Sequence, residues 1–137
     1  MLAKQKGVSA LSSAIAGLGL FFLMTSPSFA ANASQEIATA IQHLKLAAAA
    51  KDVKTVHMHM HHAINCLVGP KGWGFDASQI NPCSGQGNGA IPDTTDKAKK
   101  QALQSVMEQI VSGLSDTDLG MAQTDAKNDA ANLAKLK

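Results

Sequence analysis

The chain has no arginine; all twelve of its basic residues are lysine. Arginine is the side chain that forks onto phosphates and guanine edges. Two of the lysines, Lys4 and Lys6, fall in the first thirty residues, whereas all ten acidic residues come later. Residues 31–137 are therefore formally neutral. A neutral, arginine-free chain lacks the electrostatic footprint of a nucleic-acid binder. Cysteine is scarce too, with only Cys66 and Cys83. There is no C-x-x-C-H, which argues against covalently attached haem of the usual c type. Beyond residue 30 no apolar run approaches the roughly 20 residues of a membrane span. No H-E-x-x-H occurs and no Ser–His–Asp set can be justified, so an enzyme is not expected.

The first thirty residues have a pattern of their own. Lys4 and Lys6 make the start basic, and Val8 to Met24 carries no charge. Thr25-Ser26-Pro27 then breaks the apolar run, and Ser28-Phe29-Ala30 places small residues before a cut. These are the three parts of a secretory signal peptide, with cleavage after Ala30 and a second candidate cut after Ala33. An uncleaved anchor is the alternative, but the apolar stretch is short for one. No cysteine sits at the cut, which argues against a lipoprotein. Residues 31–137 are then one domain's worth of chain, periplasmic or secreted, with no membrane segment left after cleavage.

In an exported chain two cysteines are expected to pair. A Cys66–Cys83 disulfide would add about 3 kcal/mol by the chain-entropy estimate. The competing reading makes both thiolates soft metal ligands, which requires a means of keeping them reduced.

Three segments follow the leader: an alanine- and leucine-rich stretch (34–68), a Gly/Asn/Ser/Pro-rich stretch (69–92) and a second helical stretch (93–137). In the first, Ser34 is a candidate N-cap with Glu36 in the first turn. Ile37, Ile41, Leu44 and Ala48 repeat at helical spacing. Asp52 can cap a second helix whose stripe is Val53, Val56, Met60, Ile64 and Leu67. A tight turn at Lys51-Asp52 is favoured over one unbroken helix, which would be long for a small domain. Gly69-Pro70 ends the second helix.

The middle stretch has turn signals and no strand period. Gly85-x-Gly87-x-Gly89 has neither a strand before it nor a helix directly after it, so a phosphate loop is not supported. Trp73, Phe75 and Ile80 are expected to pack on the helices. Asp93 or Thr94 can cap a third helix with Ala102, Leu103, Val106 and Ile110 inward, stopped at Gly113. Ser115 or Asp116 can cap a fourth, lined by Leu119, Ala122, Ala126, Leu133 and Leu136. The expected fold is all-α: an up-and-down four-helix bundle of two helical hairpins (34–68 and 93–137), joined by a disulfide-stapled Gly-rich loop (69–92).

One string stands out: His57-Met58-His59-Met60-His61-His62. On a helix, His57 and His61 are one turn apart beside the apolar stripe, while His59, His62 and Cys66 lie on its other side. A pair at i and i+4 aims two imidazoles at one point, the simplest metal-binding spacing a helix offers. One pair would then sit at the bundle's flank and another at its outer surface. If the turn falls at Lys51-Asp52, His43 is level with Met60 and can add a third ligand. Imidazole suits copper, zinc and nickel, and thioether adds a preference for Cu(I). The string has no adjacent carboxylate to serve a hydrolytic centre. The plain alternative is a solvated polar face, with Met60 simply core and Met58 an ordinary exposed residue.

The segment 34–68 resembles small periplasmic metal-binding proteins that fold as histidine-rich four-helix bundles. The likeness lies in an alanine-rich helix carrying His43, the turn Ala49-Ala50-Lys51-Asp52, and a following helix with His57 and His61. That family spreads histidines over all its helices, whereas residues 93–137 have none. The resemblance implies copper binding, buffering or trafficking rather than catalysis, with one or two sites rather than bulk storage.

The expectation is therefore a copper-binding protein, zinc or nickel being the other ions. His57 and His61 are its first ligands, and His59, His62, His43 and Met58 are further candidates. Two rivals stand beside it. One is a non-covalent haem or electron-carrier bundle with these histidines as axial ligands. The other is an interaction module whose working surface is the 69–92 loop with Trp73 and Phe75. Partners on these readings are the metal ion, a second copy of the chain through exposed histidines, or another periplasmic protein.

Overall fold

The computed structural model describes residues 31–137; the signal-peptide expectation falls on residues outside these. The described residues form helices and no strands: α1 (Ala33–Ala49), α2 (Val53–Val68), α3 (Ala90–Asp93), α4 (Lys97–Gly113) and α5 (Leu119–Ala134). Five helices replace the expected four, because the end of the glycine-rich stretch closes one further turn as α3.

The α1–α2 turn lies where the sequence places it. Ala50 is extended, and the Asp52 carboxylate accepts from the Thr55 N–H at 2.9 Å and from the Thr55 hydroxyl at 2.8 Å. The other three N-caps differ from expectation. Asn32, not Ser34, caps α1, accepting from Gln35 N–H at 3.1 Å, while its own N–H donates to Gln86 O. Asp96 caps α4 through Lys99 N–H at 2.7 Å. Asp93 is engaged instead by the Asn88 backbone and side-chain N–H groups, at 2.7 and 3.0 Å, and Thr94 donates to Ala90 O. Asp118 caps α5 through Met121 N–H at 2.9 Å, and Ser115 donates back to Ser112 O. Asx residues compete nearly equally for these positions, so a nearby tertiary partner decides which one caps.

Packing joins α1 to both α2 and α5, α4 to both α5 and α2, and α2 to α5; among the described residues the backbones of α1 and α4 do not come close. Ile37, Leu44, Met60, Ile64, Leu67, Leu103, Ile110 and Leu133 are fully buried. Between them lie Ala40, Ala47, Ala63, Ala122 and Ala126, small enough for close helix approach. The expected stripes thus face the core, with Ala48, Leu119 and Leu136 packed at its edge, except for Val53 and Ala102, which are half-buried outside it. No described helix is long and apolar enough to cross a membrane.

The 69–92 segment is held by polar clamps as well as by the apolar contacts of Phe75, Cys83, Ala90 and Ile91. Cys66 and Cys83 are disulfide-bonded, as expected. Asn65, wholly buried, donates to Asp76 O and Ile80 O and accepts from Asp76 N–H. Gly69 ends α2 at a φ of 66°, and a side chain there would collide with the Asn88 carbonyl. Glu36, in the first turn of α1 as expected, is fully buried and accepts from Gly89 N–H at 2.8 Å. Burial and the neighbouring Asp93 carboxylate push its pKa up to about 7, against the pull of the Gly89 hydrogen bond. With the backbone so anchored, the loop's large side chains are free to face water. Phe75 packs on the core, but Trp73 is 72% exposed and Ile80 69%, contrary to expectation.

Candidate metal centre

Folding the α1–α2 hairpin gathers three histidines. The turn is centred on Lys51, and His43 and His59 stand equally far before and after it. In an antiparallel pair such residues are level, and here their Nδ1 atoms are 3.3 Å apart. His62, three residues on from His59, lies under the same α1 residue. The ring centroids are separated by 5.5 Å (His43–His59), 5.1 Å (His43–His62) and 5.6 Å (His59–His62). One ring nitrogen from each lies within 4.8 Å of the others.

These imidazoles are kept neutral. Burial, and then the nearby His62 and His59, push the His43 pKa down to about 4. Burial lowers that of His59, and burial followed by His59 and His61 lowers that of His62. A neutral imidazole keeps a lone pair on one nitrogen, the form a metal requires. Of the facing Nδ1 atoms of His43 and His59, only one can donate to the other. The Nδ1 of His62 is buried with no hydrogen-bond partner among the described residues. Two nitrogens bound to one tetrahedral ion at about 2.0–2.1 Å stand roughly 3.3 Å apart. His43 and His59 already have that spacing. A bound cation would satisfy the surplus lone pairs that three neutral rings cannot satisfy among themselves.

His59 and His62 were expected at the outer surface. The structure covers them with α1, and His62 is only 5% exposed. The covering follows from the small residues of α1, whose close approach brings His43 down onto α2. The i, i+4 pair His57 and His61 does not join this group. It lies on the other side of the stripe formed by Val56, Met60 and Ile64, half-buried beside the stapled loop. There His61 Nδ1 is 3.7 Å from Asp76 Oδ2. Hydrogen bonds from the Ser78 hydroxyl and N–H hold the Asp76 carboxyl below its ordinary range. Met58 is half-buried and borders one cleft with His57 and His61. The structure thus separates the six candidate ligands into His43/His59/His62 on one side of α2 and His57/Met58/His61 on the other.

Four polar residues with structural or electrostatic roles escaped the sequence: Glu36, Asn65, Asp76 and Asp129. Asp129 is 4% exposed on α5, where burial and then Asp125 push its pKa up to about 7. Its place three residues after Ala126 and four before Leu133 was legible as inward-facing, but a carboxylate there reads by default as surface.

Compared with known proteins, the chain matches no family model, no curated protein and no solved structure.

Proposed function

We propose that the protein binds a transition-metal ion, copper foremost, through His43, His59 and His62, and serves in buffering or handing on the ion rather than in catalysis. The convergence of three neutral ring nitrogens within 4.8 Å carries the reading. Three protein ligands leave a fourth position open, as exchange with a donor or acceptor requires. Copper rests on the histidine–methionine composition of α2 and on the resemblance of residues 34–68. Zinc and nickel also accept imidazole donors. The absence of a carboxylate from the triad favours holding an ion over activating water on it.

We place the protein outside the cytoplasm, because of the leader-like first thirty residues and the Cys66–Cys83 disulfide. Cleavage after Ala30 keeps the Asn32 cap of α1, whereas cleavage after Ala33 would remove it. The scaffold is best described as an up-and-down four-helix bundle with α3 as an addition. The packing of α1 on α2 and α5, and of α4 on α5 and α2, supports this, with α2 and α5 also in contact. The interaction-module reading retains one specific support, the exposure of Trp73 and Ile80 on a rigidly anchored loop.

The test is a titration of the exported, disulfide-intact protein with Cu(II) and Zn(II). Binding at micromolar affinity or tighter, weakened at least 100-fold in a His43→Ala/His59→Ala variant of unchanged helicity, is the expected result. Unchanged affinity in that variant would sink the assignment. Substituting Trp73 by Ala should leave metal binding intact. Loss of a cellular phenotype on that change alone would favour the loop as the working surface.

A further inference from the structure

The geometry points to a second, softer metal site on the opposite side of α2, formed by His57, Met58 and His61 and suited to a monovalent soft cation of the Cu(I) class. It rests on the metal-binding reading but uses none of the triad's side chains. His57 and His61 are one helical turn apart and border one cleft of about 810 Å³, with Met58 between them in sequence and Gln79 of the stapled loop across it. Among the described residues, His57 Nε2 and His61 Nδ1 are both buried without a hydrogen-bond partner. An imidazole nitrogen withdrawn from water and left unpaired, as His57 Nε2 is, costs free energy that a bound cation would recover.

Asp76 supplies the orientation. Its Oδ2 lies 3.7 Å from His61 Nδ1, and its Oδ1 is held by the Ser78 N–H and hydroxyl. A carboxylate facing one ring nitrogen draws the proton there and leaves the other nitrogen's lone pair for a metal, the usual outer partner of a metal-bound histidine. Asp76 cannot drift, because Asn65 holds its backbone on both sides and the Cys66–Cys83 bond closes the loop containing it. The staple thus has a use beyond stability: it holds the carboxylate against the helix that carries the ligands.

The donor sets of the two sites differ. Imidazole alone, as in the triad, accepts Cu(II), Zn(II) and Ni(II). Two imidazoles and a thioether favour Cu(I). Neither site requires the other, so the chain would hold two ions of unlike preference on the two flanks of one helix.

The experiment titrates Ag(I), a soft monovalent ion that needs no reductant and so spares the disulfide, into one sample of the exported protein and Zn(II) into another. Variants are His57→Gln/His61→Gln, Met58→Leu, His43→Ala/His59→Ala and Cys66→Ser/Cys83→Ser, each checked for helicity. Wild type should bind two Ag(I), the tighter at His57, Met58 and His61 and the weaker at the triad. The His57/His61 variant should bind one and keep its Zn(II) affinity. Met58→Leu should weaken one Ag(I) at least tenfold and remove a sulfur scatterer from its X-ray absorption spectrum. The disulfide variant should weaken that same ion. A stoichiometry unchanged by His57→Gln/His61→Gln would overturn the second site while leaving the triad intact. An unchanged Zn(II) affinity in the His43/His59 variant, with one Ag(I) lost on His57→Gln/His61→Gln, would instead overturn the triad and keep the second site. Full Ag(I) affinity and an unaltered absorption spectrum in Met58→Leu would reject the thioether as a donor.

Discussion

His43 illustrates how burial prepares a ligand. In the unfolded chain its imidazole titrates near 6.5, but in the fold its pKa is about 4. Protons therefore compete with a metal at the triad only in more acid solution. Affinity should persist to lower pH than with ordinary imidazoles and be lost as the pH falls to about 4, where His43 takes up a proton. A peptide spanning 53–68, with ordinary imidazoles, should already lose metal near pH 6.5. Isothermal titration at several pH values separates the two profiles.

Glu36 acts in the opposite sense. Its pKa is raised from 4.5 to about 7, so its contribution to stability is full below 4.5 and is lost as the pH rises through about 7. Glu36→Gln retains an acceptor for Gly89 N–H but cannot ionise. It should raise the Tm at pH 8.5 by roughly 5 °C and give no gain at pH 4. Thermal unfolding of both proteins at both pH values checks the sign.

At the scale of elements, α2 is the one whose stability and function are most closely joined. Its N-terminus depends on Asp52, its middle carries the six-residue histidine–methionine string, and its last turn presents Asn65 and Cys66 to the loop. Removing the cap with Asp52→Ala should cost about 1 kcal/mol. Asn65→Ala should cost more, on the order of 3 kcal/mol, because it leaves the Asp76 N–H and the Asp76 and Ile80 carbonyls without their buried partner. Urea denaturation of the two variants should rank them in that order. The helices themselves were readable from periodicity, since a 3.6-residue stripe and a turn at Lys51-Asp52 are local properties of the chain. Three N-caps were misplaced by two to three residues. Ser34, Asp93 and Asp116 are locally as suitable as Asn32, Asp96 and Asp118, and only contacts with distant residues such as Gln86 and Asn88 separate them.

For the molecule as a whole, the disulfide and a bound ion act on the same equilibrium. Cys66→Ser/Cys83→Ser should cost about 2–5 kcal/mol. An ion held at 100 times its Kd should return about 2.7 kcal/mol, a Tm rise on the order of 10 °C for a domain of this size. Melting curves of both proteins with and without Cu(II) measure the two effects. A Cu(II)-induced rise that survives in the disulfide variant but disappears with His43→Ala/His59→Ala would locate the coupling at the triad.

Composition, periodicity and spacing determined that the described chain would be helical, where its first hairpin would turn, which cysteines would pair, and that the histidines of α1 and α2 were the chemistry worth following. These follow from local propensity, from the 100° step of a helix, and from the scarcity of cysteine. Tertiary structure alone decided which histidines meet. His59 belongs with His43 because the hairpin's register makes them level, and His62 belongs with them because alanine-rich packing lets α1 come close enough to cover it. Spacing along one helix brought His57 and His61 to attention first, since i, i+4 neighbours can be counted without a fold. A ligand contributed across a hairpin cannot be counted that way, and neither can a buried Glu36 or an outward Trp73, whose positions are set by the backbone clamps of the stapled loop.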